Sequence, residues 1–358
     1  MTILLISFGD FDYDGRLREL YKVFEKMGDL HAITRGSKAQ SAAHRLYRGG
    51  YPGFIRDAVA YGRRIGNVDI LVLDNRKSVL PGLILRRMLK PRAVIQDCRE
   101  LYIRKEVSHF VGKVGCVIEK WGVERSDIII CANRHRAEVM KEMFRLKRAP
   151  ISYENLRRLE YTNGQKAPAE AFSKYLHEGE LRIISSSGCS VSRTNDVLVR
   201  NLDLVNRKCR LFLVGTSTPQ DRSAIERIIA EKKLDNVEIL GQLNQDELKY
   251  LISVCDIGIV NYHQKDTNNK YCASGKIYEF LYEGIPVVTT TNPPLKSLCD
   301  REKIGVADDA FYNGINKVAE NYRFYQENVK RYAAENRVDD NNERLLRQLT
   351  QAIAELVS

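Results

Sequence analysis

Along the chain, apolar runs of four to six residues alternate with longer stretches in which apolar positions recur every three or four residues. The short runs have the length of buried strands, and the longer stretches have the period of helices with one covered face. Such alternation predicts parallel sheets clothed by helices. In the first half, strands are expected at 3–7, 30–34, 70–73, 93–96 and 128–131. Between the first two, Leu17, Leu20, Tyr21, Phe24 and Met27 fall at helical spacing and predict a helix that packs this stripe on the sheet.

A polar segment around 160–180, with Asn163, Gly164 and Pro168, interrupts the pattern and reads as a connection between domains. A second series follows, with strands expected at 181–185, 210–214, 237–240, 257–260 and 287–290 and helices such as 245–253 between them. The expected fold class is therefore α/β, two Rossmann-like domains in tandem facing a cleft. The boundaries read as 1–160, a connection at 161–179, a second domain at 180–310, and C-terminal helices at 311–358. In the last stretch Leu345, Leu346, Leu349, Ile353 and Leu356 form a narrow apolar seam that either caps its own domain or crosses back to the first.

At 358 residues the chain exceeds what one core serves. Its 44% apolar and 29% charged residues exclude a disordered or fibrous class. The net charge of +11 is uneven: residues 1–155 carry 29 Lys and Arg against 18 Asp and Glu, whereas the remainder is balanced. A basic first domain suits phosphate-rich partners, whether an anionic leaflet, a pyrophosphate-linked acceptor or nucleic acid, or is a soluble basic face only. No recognised nucleic-acid module accompanies the charge, so no nucleic-acid partner is expected. Eight scattered cysteines without a Cys-x-x-Cys pair read as free thiols of a reducing compartment. The opening MTILLISFGD reads as a first strand rather than a signal peptide, and no apolar run is long enough to span a bilayer. A cytoplasmic protein is expected, with any membrane contact peripheral and at the inner face.

In open parallel sheets, ligands bind beyond the carboxyl ends of strands, so the loops there carry the chemistry. The first is Phe8–Gly9–Asp10–Phe11–Asp12–Tyr13–Asp14–Gly15, where Gly9 and Gly15 let a ligand approach the backbone. It lacks the spacing of a dinucleotide fingerprint and of a P-loop. The strongest signal is Cys272–Ala–Ser–Gly–Lys–Ile–Tyr–Glu–Phe–Leu–Tyr–Glu–Gly–Ile–Pro–Val–Val. Ser274 and Gly275 begin a short helix whose Ile277, Phe280 and Leu281 face the core, with Lys276 and Glu279 off that face. A helix N-terminus beside a lysine suits a diphosphate through amide donors, dipole and charge. A capped surface helix with an exposed lysine and glutamate fits the same residues. The histidines and the Asp10, Asp12, Asp14 run lack the partners of a metal site, and no metal or other cofactor is expected.

The segment from Ser274 to Val288 resembles the donor-site signature of family-four, retaining, GT-B-fold glycosyltransferases, of the kind that build bacterial surface polysaccharides. The likeness extends to Leu211–Phe–Leu–Val–Gly215, to Asn236–Val–Glu–Ile–Leu–Gly241, and to the opening strand and helix with Asp14 and Arg16 in an Asp-x-Arg motif. It implies a transferase that moves a sugar from a nucleotide diphosphate sugar to a glycan or lipid-linked acceptor, without a metal. Residue by residue, it makes Glu279 a ribose ligand and puts the diphosphate near Gly188, Arg193, Ser274, Gly275, Lys276 and Ile277. Gly241 and Leu243 line the base, and Tyr271 takes the position that touches the donor sugar. Asp14, Arg99 and Glu100 are the implied catalytic candidates, Arg99 stabilising developing charge and Glu100 orienting an acceptor hydroxyl; an ion pair at a strand end fits Arg99 and Glu100 as well. Tyr271, Cys189 and Arg99 stand where the family has a glutamate, a basic residue and a histidine. They motivate a second reading, a catalytically degenerate subunit or scaffold; a hydrolysing nucleotide-sugar epimerase of the same fold is a third.

Overall fold

The computed structural model describes residues 1–357, which divide into two compact α/β units. The first comprises Met1–Asn155 and the chain from Val338 onward; the second is Leu156–Arg337.

In the first unit the chain runs β1 (Thr2–Asp10), α1 (Gly15–Met27), β2 (Asp29–Arg35), β3 (His44–Leu46), α2 (Tyr51–Ile65), β4 (Ile70–Asp74), α3 (Val79–Leu89), β5 (Ala93–Cys98), α4 (Phe110–Arg125), β6 (Ile128–Cys131), α5 (Arg134–Met143) and β7 (Ile151–Ser152). The strands form one parallel sheet in the order β3-β2-β1-β4-β5-β6-β7. Ile3, Leu4, Leu5 and Ile6 are fully buried because helices cover both faces, which is why the central strands read as continuous apolar runs. Leu17, Leu20, Tyr21 and Phe24 of α1 pack on one face, and Phe54, Ala58 and Tyr61 of α2 on the other.

In the second unit come α6 (Lys166–Phe172), β8 (Leu181–Ser185), α7 (Asn195–Arg200), β9 (Cys209–Val214), α8 (Pro219–Lys232), β10 (Val237–Leu240), α9 (Gln245–Val254), β11 (Ile257–Val260), α10 (Thr267–Lys270), α11 (Gly275–Tyr282), β12 (Val287–Thr289), α12 (Pro293–Glu302), β13 (Gly305–Ala307), α13 (Tyr312–Glu320) and α14 (Tyr322–Glu335). Its sheet is also parallel, in the order β10-β9-β8-β11-β12-β13. In both sheets the winding reverses direction once, between β1 and β4 and between β8 and β11. Those are the switch points where an open sheet leaves room for a ligand beyond its carboxyl edge.

Two boundaries differ from the sequence reading. The segment 161–179 belongs to the second unit: the Thr162 and Asn163 N–H groups donate to Asp246 at 2.6 and 2.7 Å, and Phe172 of α6 joins that unit's core. The C-terminal helices part company, α13 and α14 staying with the second unit while α15 (Val338–Val357) packs on α1. Leu345 and Leu349 enter the first unit's core, and Tyr153 donates to Asn342 at 2.6 Å. Leu356 lies outside the seam, 44% exposed. The strands β3, β7 and β13 went unread because two or three residues show no period. Among the described residues no helix is long and apolar enough to cross a membrane, and all eight cysteines are buried free thiols.

Candidate functional site

The switch point of the second sheet is built by the loops after β8 and β11 and by the start of α11. The loop after β8 turns sharply at Gly188, whose φ is +62° and where a side chain would meet the Thr216 carbonyl oxygen at 2.5 Å. Only glycine fits both constraints. A buried amide knot holds this loop in place. Asn195 donates to the Gly188 carbonyl at 2.6 Å and accepts from Asn261 at 2.7 Å, while Ser187 donates to Asn261 at 2.9 Å. The loops after the two switch-point strands are thereby tied together.

Against this frame stands the N-terminus of α11. Ser274 occupies the N-cap position but its side chain caps nothing, and its buried Oγ has no hydrogen-bond partner. The first-turn amides of Gly275, Lys276 and Ile277 have no intrahelical acceptor. Lys276 donates to the Ser186 carbonyl. Burial, with Arg193 and Arg157 nearby, brings its ammonium down to about 8, with Glu279 acting the other way. Arg193 stacks 3.9 Å from the centre of the Tyr262 ring, and one of its terminal nitrogens is buried without a partner. Ser186 Oγ is a third such atom. Three of the eight buried unpartnered polar side-chain atoms among the described residues thus come from these loops. Buried donors without acceptors are rare and mark places completed by something else.

Glu279 lies one turn into α11. The sequence reading put it off the covered face; it is 3% exposed. Burial raises its carboxyl, with Arg157 and Lys276 pulling the other way, and Arg157 Nε sits 3.0 Å from Oε1. Arg157 was not among the predicted site residues, because it lies far along the chain in a segment without periodicity. Asn195 and Asn261 escaped as ordinary polar residues, one opening α7 and the other following β11. Gly241 accepts from Gly215 N–H at 3.1 Å, which sets it beside the loop after β9, and Leu243 packs on the core just before α9. Tyr271 closes α10 with its ring 5.6 Å from the Lys270 ammonium.

The remaining predicted residues gather at the switch point of the first sheet. Asp14 caps α1 by accepting from Leu17 N–H at 3.0 Å, and Gly9 N–H donates to Ser7 Oγ at 2.9 Å. Gly15 begins α1 with open space where its side chain would be. Arg16 makes a two-pronged pair with Asp97 at 2.8 and 2.7 Å and donates to the Tyr153 carbonyl at 2.8 Å. Arg99 binds Asp14 and, at 2.6 Å, Asp74, with Asp97 3.6 Å away. Three aspartates thus surround Arg99, the ion-paired alternative that the sequence reading kept beside charge stabilisation, and Asp14 is engaged in the same pairing. One Arg99 nitrogen alone remains buried and unpartnered. Glu100 is half-buried, 3.8 Å from Arg136. Among the described residues no group of three or more His, Cys, Asp or Glu is placed to hold a metal ion.

The whole chain is similar in fold to three solved structures of low sequence identity. Sucrose-phosphate synthase from Thermosynechococcus elongatus superposes with a TM-score of 0.72 at 19% identity, over 100% of this chain and 99% of that one. Anabaena HepE, solved with UDP and glucose, gives 0.72 at 14%, over 98% and 100%. A UDP-GlcNAc 2-epimerase from Neisseria meningitidis, bound to UDP-GlcNAc, gives 0.62 at 11%, over 98% and 100%. The two-domain Rossmann-like architecture shared with the first two is the GT-B fold. No curated protein sequence matches the chain. Residues 184–321, which include both loops of the second switch point and all of α11, match the family model of group 1 glycosyl transferases.

Proposed function

We propose that this protein is a glycosyltransferase whose second unit binds a nucleotide diphosphate sugar and whose first unit receives the acceptor. The observation that carries the reading is the start of α11, where Lys276, Arg193, uncapped helix amides and the idle Ser274 hydroxyl meet in one half-buried place. Each would neutralise or donate to a diphosphate, and the leaving diphosphate is where negative charge grows during transfer. Glu279 then accepts from ribose hydroxyls, Gly241 and Leu243 flank the base, and Tyr271 faces the donor sugar. With Lys276 and Arg193 meeting the charge, transfer needs no metal and persists in EDTA. The family model over the donor half and the UDP-bound neighbours support trying uridine nucleotides first.

By resemblance we further propose transfer with retention, to a glycan or lipid-linked acceptor, in polysaccharide or glycoconjugate synthesis at the cytoplasmic face of a membrane. Support for membrane contact comes from the α3–α4 face of the first unit. There Arg86, Arg87, Lys90 and Arg125 line one groove, and Ile84, Met88, Phe110, Val111 and Trp121 are exposed. Basic residues interleaved with exposed aromatic and aliphatic side chains suit an anionic leaflet.

The test is calorimetry and thermal shift against UDP, GDP, ADP, CDP and TDP and their sugar conjugates. One nucleotide is expected to bind selectively, with Lys276→Ala and Glu279→Ala each weakening it about 10- to 100-fold, or ~1.4 to 2.8 kcal/mol. No binding by any nucleotide sinks the reading. Binding without turnover across acceptors favours the scaffold, and release of free sugar without an acceptor favours the epimerase.

A further inference from the structure

The first unit holds a feature that donor chemistry does not use. Helix α4, the residues after β5 and the end of α5 enclose a cavity of about 440 Å³. Val117 and Trp121 of α4 form one wall, Tyr102 and Ile103 a second, and Met143 and Phe144 a third. Glu119 lines the same space, is 5% exposed, and its Oε1 accepts no hydrogen bond.

Arg104, Lys120 and Glu124 line the cavity as well. A carboxylate buried as deeply as that of Glu119 is a poor choice for stability, because desolvation is not offset unless donors are supplied. Two cations stand near Glu119, and both are engaged elsewhere. Arg136 donates to the Arg99 carbonyl, and the Arg76 guanidinium lies 5.1 Å over the Tyr102 ring. Burial pushes the Glu119 carboxyl up to about 7, with Glu100 adding to the rise and the two arginines opposing it. The apolar wall also continues outward. Phe110, Val114, Val117 and Trp121 fall at spacings of four, three and four on α4, so one stripe runs from the cavity to the surface. Phe110 is 79% exposed at its outer end.

We infer that this cavity holds the head of an amphiphile that carries hydroxyl groups, the hydroxyls donating to Glu119 and the apolar part lying along the α4 stripe. The inference rests on the transferase reading in making that amphiphile the acceptor, and it narrows the acceptor to a hydroxylated head on an apolar carrier. A free sugar would leave the stripe bare, and an anionic detergent would leave Glu119 without a donor.

Trp121 is the chain's single tryptophan and lines the cavity, so its fluorescence reports occupancy directly. We would titrate n-octyl β-glucoside, below the concentration at which it forms micelles, against wild type, Glu119→Leu and Val117→Ser. Glucose and octyl sulfate serve as the two half-ligands. The expected result is a saturable blue shift with octyl glucoside, at least tenfold weaker with either half-ligand. Glu119→Leu is expected to weaken the glucoside at least tenfold while leaving octyl sulfate unchanged, and Val117→Ser to weaken both. The urea midpoint of each variant checks that it is folded. No saturable shift overturns the inference. So does equal binding of glucoside and sulfate that Glu119→Leu does not alter, which would leave an apolar crevice only. No nucleotide is present, so failure here leaves the donor site standing, and failure of nucleotide binding leaves this result standing.

Discussion

Both sheets bring a charged cluster to their switch point, and the two clusters are opposites in their degree of satisfaction. In the first unit two arginines meet three aspartates, with Arg16 and Arg99 between them contacting Asp14, Asp74 and Asp97. In the second, Lys276 and Arg193 repel one another and Glu279 is shared with Arg157, while Ser186, Ser274 and Arg193 each keep a buried atom unpartnered. The first cluster is closed on itself but for one Arg99 nitrogen and fastens loop to sheet. The second is incomplete in the way a site waiting for an anion is incomplete. The same location in the same architecture is thus nearly satisfied by ion pairs in one unit and left with three unpartnered buried atoms in the other.

The sharpest way to break this contrast is to remove one charge from each cluster. Asp97 is fully buried between Arg16 and Arg99, and Asp97→Asn strands Arg16 in the interior. Removing one partner of a buried pair costs about 3–5 kcal/mol. The urea midpoint read by Trp121, which belongs to the first unit, is expected to fall accordingly. Lys276→Met removes a cation whose burial is unfavourable, and is expected to leave thermal stability equal or higher while nucleotide binding weakens about 10- to 100-fold. Equal stability losses in the two variants would erase the distinction.

A second prediction concerns the open place within the closed unit. Glu119 titrates near 7 in the folded chain against 4.5 as its ordinary value. The folded state therefore holds that proton where the unfolded chain has lost it, so the contribution is complete below pH 4.5 and disappears as pH rises through 7. Each pKa unit is worth about 1.4 kcal/mol, which puts the decline at about 1–3 kcal/mol between pH 4.5 and 7.5. Asp74, raised to about 6 by burial against the pull of Arg99, adds a decline of the same sign. Glu119→Leu is expected to remove its share of the slope, measured as urea midpoints at pH 5 and 7.5, and to leave the share of Asp74.

The fold was legible because parallel strands buried on both faces announce themselves as apolar runs, and ten of them could be placed. What escaped was short or distant. The edge strands β3, β7 and β13 carry too few residues for a pattern, and the return of α15 to α1 depends on Leu345 and Leu349 finding a groove over 300 residues upstream. The start of α11 was legible because Ser274, Lys276 and Glu279 lie within one short motif, whose spacing on a helix is set by geometry. Arg157 was not, since its place beside Glu279 is fixed by tertiary contact. For Arg99 the sequence left charge stabilisation and an ion pair side by side, because the three aspartates that surround it lie 2, 25 and 85 residues away in sequence.

The smallest effect is the most direct probe of what the second cluster awaits. Lys276 titrates near 8 against an ordinary 10.5, because burial and the neighbouring arginines disfavour its charge. The unfolded chain keeps this proton up to 10.5, so the penalty is present below pH 8 and is relieved as pH rises toward 10.5. At pH 8 about half of the folded molecules carry it. A diphosphate arriving beside Lys276 favours the charged form and draws the missing fraction, about half a proton, from solvent. Calorimetric titration with UDP at pH 8, in buffers of different ionisation enthalpy, would show that uptake as a slope in the observed heat. At pH 6.5 the lysine is already charged and the slope attributable to it should vanish, as it should at pH 8 in Lys276→Met. A nucleotide that binds at pH 8 without taking up a proton would place its diphosphate away from Lys276, and the contrast between the two clusters would then need another explanation.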